Sequence, residues 1–320
     1  VEREINYPQI ETFKDGRRPL YELYKTYSRL LAEDWKAEII SSQVEKENVA
    51  SPITLPIYAF LSPKTTEEPE HALWIIGGVH GEEPVPPNAF AEEIETISAL
   101  PKIGIPVVAI FVANPLGYHK DWRYQDLKRG FGQGTSVTDC DHLLPQKILK
   151  NLPRRLTPIN KVSDETTKWA LETSKSYIPL LVINHHEDEI EDDLNDPDRD
   201  LFYSYAYGKR KILNIICPIL TQILSKGGYQ VTMTGKTRGH ETITDGFVTN
   251  STDGSIDELL ASSKYFDGLK VKRKTPAKVV LVPETYYRNE GTQTINQRIK
   301  VHGEIIRSYP KLWRIVKENL

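Results

Sequence analysis

The chain has 320 residues, 39% of them hydrophobic, and its 41 basic and 44 acidic side chains give a formal net charge of -3. That length can bury a sizeable core, whereas the balanced charge supplies no long-range field to recruit nucleic acid or an anionic membrane, so a peptide or small-molecule partner is expected. Two cysteines, Cys140 and Cys217, are too few for a disulfide framework or a thiolate metal site and are expected to be free thiols.

No stretch of about 18 apolar residues occurs, and Val1-Glu2-Arg3-Glu4 shows no basic region leading into an apolar one. A soluble chain without a membrane partner is expected, with a cytoplasmic location. No Pro/Gly/Ser-rich stretch divides the sequence, so one domain over residues 1–320 is the expectation.

Residues 1–50 read as a helical N-terminal extension packed on the body, because Leu20, Leu23, Tyr24, Tyr27, Leu30 and Leu31 recur at helical spacing. Residues 53–60, rich in β-branched and aromatic side chains, and the apolar runs 73–77 and 105–113 predict strands. Pro86 and Pro87, followed by Ala89, Phe90, Ile94 and Ile97, predict a helix whose first turn accepts proline. Residues 115–176 carry Gly130, Gly132 and Gly134 and no sustained period, which predicts loops and short helices around a site. Strands are further predicted over 177–184, 229–233 and 278–282, and helices over 209–225 and from Gln293 to the C-terminus. This alternation predicts an α/β fold of three layers: a central mixed, largely parallel twisted sheet flanked by helices, with sites outside the carboxyl ends of its strands.

The strand over 73–77 runs out into His80-Gly81-Glu82-Glu83. A histidine there and a carboxylate three residues on can both point into one crevice, and zinc takes such nitrogen and oxygen donors. The pattern recurs at His186 and Glu189, so alone it carries little weight. The strand over 177–184 delivers a third donor at Asn184-His185-His186-Glu187-Asp188, where alternation lets only one of His185 and His186 face the site. The strand over 278–282 leads to Pro283-Glu284-Thr285, which makes Glu284 the candidate general base for a metal-activated water. Residues 187–200 are strongly acidic and read as a solvated loop, with a negative rim for a basic substrate as the alternative.

Here the chain resembles the zinc carboxypeptidases, whose pattern is His-x-x-Glu after one strand, a third His after a later one and a catalytic Glu after the last. The resemblance implies one zinc ion held by His80, Glu83 and His186, selecting His186 over His185, with Glu284 as general base. Asn114-Pro115-x-Gly117 matches a turn of that family. The arginine that polarises the scissile carbonyl then corresponds to Arg123, with Arg129 in reserve. The implied activity is hydrolysis of a peptide or amide bond.

The sequence departs from the family where an Asp-x-Asn-Arg stretch ordinarily binds the substrate's terminal carboxylate. The region reads Ser136-Val137-Thr138-Asp139-Cys140-Asp141-His142, without arginine. His142 or Arg238 are the candidate substitutes. Tyr265 matches the position of the family's mobile tyrosine, and Tyr286 and Tyr287 follow Glu284 directly. Two alternatives stand beside the peptidase: a deacylase of the aspartoacylase or succinylglutamate desuccinylase type acting on acylated amino acids, and a binding module that keeps the fold without chemistry.

Overall fold

The computed structural model describes residues 5, 8, 10, 13–47, 49–125, 136–140, 142, 160–189, 202–237, 239–249, 251, 254–267, 270–287 and 294–320, the side chains of Glu189 and Tyr287 excepted. The first helix, α1 (Leu20–Tyr27), buries Leu20, Leu23, Tyr24 and Tyr27. Helix does not extend over the first fifty residues as expected. A 3-10 segment (Ser28–Glu33) ends at Asp34, whose φ of 61° turns the chain into β1 (Lys36–Glu45), antiparallel to β2 (Ile53–Leu61). The helical spacing seen in the sequence stops at Leu31. Beyond it, Ala37, Gln43 and Glu45 alternate inward as a strand requires, with a bulge at Ile40 where the register shifts.

The chain continues through β3 (Glu70–Gly77), α2 (Val85–Glu92), α3 (Ile94–Ala99), β4 (Val107–Ile110), α4 (Pro115–Lys120), α5 (Lys161–Thr173) and β5 (Tyr177–Glu189). Then come β6 (Phe202–Gly208), α6 (Arg210–Lys226), the short β7 (Thr234–Lys236), β8 (Thr242–Thr244) and β9 (Phe247–Val248), and α7 (Ile256–Ala261). A separate hairpin of β10 (Lys264–Asp267) and β11 (Lys270–Arg273) precedes β12 (Val279–Tyr287), α8 (Ile295–Arg307) and α9 (Tyr309–Glu318). The strand expected over 229–233 is reduced to a single bridge between Val231 and Phe202. The final helix is two: Pro310 has no amide hydrogen to continue the ladder and sits in the first turn of α9.

Ten strands form one mixed sheet in the order β1-β2-β4-β3-β5-β12-β6-β9-β8-β7. Its centre, β4-β3-β5-β12, is parallel, and antiparallel pairs flank it on both sides. One face packs against α1, α2, α6, α8 and α9 through residues such as Tyr27, Phe90, Ile216, Ile305 and Trp313. The other packs against α5 and α7 through Trp74, Val182, Ala170, Ile256 and Leu260. The three-layer reading holds. Among the described residues, no helix is long and apolar enough to cross a membrane, and Cys140 and Cys217 are buried and form no disulfide.

Candidate metal centre

Side chains alternate along a strand, so the polar end of β5 sends Asn184, His186 and Asp188 to one face and His185 and Glu187 to the other. Contrary to the expected strand exit, these residues are inside the ladder: β5 and β12 stay paired through Glu189 and Tyr287, and His186 stands opposite Glu284. Continued pairing on both sides of β12 fixes the direction of Glu284 more tightly than a loop would. The loop after β3 brings in His80 and Glu83. Gly78 takes a left-handed φ of 62°, with the backbone of Val112 against the position a Cβ would fill.

His80 Nδ1 lies 2.6 Å from Glu83 Oε1, and His186 Nδ1 lies 2.9 Å from Glu83 Oε2. One donor atom from each of the three falls within 4.8 Å of the others. Among the described residues, this is the cluster of histidine, cysteine and acidic groups that could hold a metal ion. Burial, reinforced by the Arg123 guanidinium, holds the His80 imidazole down to about 4. Burial works to raise the Glu83 carboxyl, but His80 and His186 outweigh it and keep that group well below the ordinary carboxylate range. His80 is thus neutral and Glu83 ionised, as a cation requires of its ligands, while the His186 imidazole, which burial lowers but Glu83 raises by more, must give up its proton when a cation binds.

Arg123 donates from Nη1 to Glu82 Oε1 at 2.9 Å and to Glu83 Oε1 at 3.4 Å, which places its guanidinium beside the cluster. Glu284 is buried, and its Oε2 has no hydrogen-bond partner among the described residues. Burial and then the charges of Glu83 and Asp188 push its carboxyl well above the usual range. His80, Glu83, Arg123, His186 and Glu284 all line a cavity of about 190 Å³. Two imidazoles and a carboxylate, an unpartnered buried carboxyl nearby and an open cavity fit a catalytic zinc site.

On the opposite face His185 is buried. Its Nδ1 lies 2.7 Å from His302 Nδ1, and its Nε2 lies 2.6 Å from the Tyr309 hydroxyl. His302 Nε2 in turn lies 3.1 Å from Thr285 Oγ1.

The other expected binding residues are not all brought together. His142 instead anchors the β10 hairpin, its Nδ1 lying 2.9 Å from the Phe266 carbonyl oxygen. Tyr265 packs beside Cys140 and Leu259. Neither lines the cavity: His142 is bonded to the hairpin, and Tyr265 is part of it. Tyr286 stacks on Tyr203 with ring centroids 5.2 Å apart. Arg129, Arg238, the Tyr287 side chain and residues 190–200 of the acidic stretch lie outside the described residues.

The cavity wall also contains groups the sequence reading passed over. Asn184 and Asp188 share the parity of His186 and were there to be read. Tyr203, Tyr205 and Tyr207 alternate along β6, a period-2 signal in a segment that had not been recognised as a strand. Asp257 accepts from Asn184 Nδ2 at 3.0 Å, a contact between distant segments that leaves no sequence pattern.

No family model matches the chain, and no curated protein sequence matches it. Solved structures do. A Shewanella baltica protein provisionally named a metallopeptidase superposes with a TM-score of 0.62 at 15% identity, over 92% of this chain and 91% of that one. Carboxypeptidase A from Helicoverpa armigera superposes with a TM-score of 0.56 at 11% identity, over 93% and 71%. The fold is that of the zinc carboxypeptidases. A metallo-carboxypeptidase from Burkholderia cenocepacia gives a TM-score of 0.52 at 8% identity, over 91% and 68%. At these identities the likeness establishes the zinc carboxypeptidase-like fold, on which His80, Glu83 and His186 form the possible metal site.

Proposed function

We propose that the protein is a zinc-dependent hydrolase of amide bonds, acting on a peptide or an acylated amino acid. The observation that carries this reading is the convergence of His80, Glu83 and His186 within 4.8 Å, in the cavity that also holds the buried Glu284. When bound there, zinc supplies a Lewis acid and a water that ionises near neutral pH.

The protein's own groups do the rest. With the Glu83 charge neutralised, Glu284 loses its main repelling neighbour and can accept a proton from the attacking water. Arg123, anchored on Glu82, holds the carbonyl oxygen as it becomes anionic. Glu284 then hands the proton to the departing nitrogen.

Glu284→Gln should keep full zinc content while turnover falls by about a thousandfold. A Gln variant with undiminished turnover would remove Glu284 from the chemistry, and a wild-type protein purified without chelators that contains no zinc would defeat the whole reading. Ser136, Thr138 and Asp139 line the cavity in the segment that stands where the zinc carboxypeptidases carry an Asn-Arg pair. Substrates with a free terminal carboxylate should therefore be compared with their amides and with N-acyl amino acids, each with and without chelator. Equal rates on acid and amide would mark recognition by groups other than a carboxylate clamp, and chelator-insensitive turnover would refute the metal mechanism.

A further inference from the structure

We propose that Arg17 is a positioning residue that presets the metal loop and its distance from Arg123. This rests on the zinc reading above. The Arg17 side chain is fully buried, and its guanidinium bonds three separate parts of the chain. Nη1 donates to the carbonyl oxygens of Gly81, at 2.8 Å, and Tyr118, at 2.5 Å. Nη2 donates to Asp15 at 2.6 Å and Asp121 at 2.7 Å, and Nε to Asp15 at 2.9 Å. The rings of Phe13 and Tyr118 lie 5.4 and 5.0 Å from its central carbon.

The partners matter more than their number. Gly81 sits between His80 and Glu83, and its amide donates to the Trp122 carbonyl at 3.0 Å, so this residue is held at its N–H by one segment and at its C=O by Arg17. A Cβ at Gly81 would lie 1.9 Å from the Gly117 carbonyl carbon, so the loop is pressed directly on α4. Asp121 ends α4 in a left-handed turn, with φ of 59°, two residues before Arg123. Arg17 therefore bonds both the loop that carries Glu83 and the turn that carries Arg123.

Residues 13–18 cross this junction, with Phe13 N donating to the His119 carbonyl at 3.1 Å and Arg18 N to Asn88 Oδ1 at 3.0 Å. A ligand loop fixed before the metal arrives loses less freedom on binding it. Only a planar fork of donors serves all these acceptors at once; a lysine ammonium cannot.

The test compares zinc dissociation constants, by competition with a chromophoric chelator, for wild type, Asp15→Asn, Asp121→Asn, Arg17→Lys and Leu312→Ala, together with thermal unfolding of each metal-free protein. Leu312 is buried in α9, away from the loop, and controls for lost stability alone. Arg17→Lys should weaken zinc about tenfold or more and the Asn variants by about threefold, while Leu312→Ala changes affinity less than any of them despite its lower unfolding temperature.

Wild-type affinity in Arg17→Lys and both Asn variants would overturn the proposal, as would equal weakening in Leu312→Ala. Should Arg17→Lys fail to fold, the half-exposed Asp15 decides, since Asp15→Asn leaves the guanidinium in place. A wild-type protein that binds no zinc refutes the zinc reading itself, whereas zinc binding unchanged across the variants refutes only the role of Arg17.

Discussion

His302 illustrates how much a single buried group can set. Burial, with the nearby Arg298 charge, lowers its imidazole to about 3, so the folded protein holds it neutral through the whole range where an unfolded histidine takes up a proton. The unfolded state then binds more protons below about pH 6.5, and stability falls as pH drops from there toward 3. At pH 5, His302 alone should cost about 2 kcal/mol relative to pH 7. Urea unfolding of the metal-free protein at the two pH values checks this, and the difference should shrink in His302→Gln. A flat profile would contradict it.

At the same scale, the choice between His185 and His186 was half legible. Alternation said that one would turn away, but not that it would find His302 and Tyr309 on the far face. The role of Arg17 was not legible, because the partners that tie it to the metal loop and to α4 include the Gly81 and Tyr118 carbonyls, more than sixty positions away, and a carbonyl carries no residue identity.

Between elements, Glu187 is the joint that ties β5 to two helices. Its Oε2 accepts from the Val85 amide at 2.9 Å, in the first turn of α2, and its Oε1 lies 3.2 Å from Arg298 Nε on α8. Burial raises the Glu187 carboxyl, Arg298 opposes that, and the group settles at about 7. Arg298→Ala should destabilise the protein by about 3 kcal/mol at pH 8, where the ionised Glu187 would be left buried without its cation, and by less at pH 6, where that group is protonated. Chemical denaturation measures this, and a loss within experimental error would show that the pair is not needed.

Elements with a strong period, such as α6 and the apolar stretch of β5, were readable from the sequence. The polar ends of β5 and β12 were not, since His-His-Glu-Asp and Pro-Glu-Thr resemble loops until their neighbours on the sheet are known. The error over residues 36–45 has the same root. A strand with a bulge breaks its own alternation, and only the partner β2 reveals it.

For the whole molecule, the candidate site joins the loop after β3, the body of β5 and the body of β12, all in the parallel centre of the sheet. Zinc bound only by the folded state must stabilise that state: at a hundredfold excess over its dissociation constant, the gain is about 2.7 kcal/mol. Calorimetry with and without chelator should show the unfolding temperature drop when metal is removed, and no change would argue against a metal site joined from the loop after β3 and the body of β5. The fold class was legible because alternating strands and helices constrain the architecture without exact boundaries. The cavity wall was not, because it is assembled from residues scattered between Val79 and Glu284.

The margins of the sheet bear on how copies of the chain meet in solution. An exposed strand edge is a template on which another chain can add a strand, and the reach of that template depends on how many regular hydrogen-bonding positions it offers in a row. On one margin the bulge at Ile40 interrupts the ladder of β1 partway along. On the other, β7 offers three residues, one of them Lys236. Among the described residues neither margin presents a long unbroken template, which works against edge-to-edge growth at the first strand, where Ile39 and Val44 are exposed.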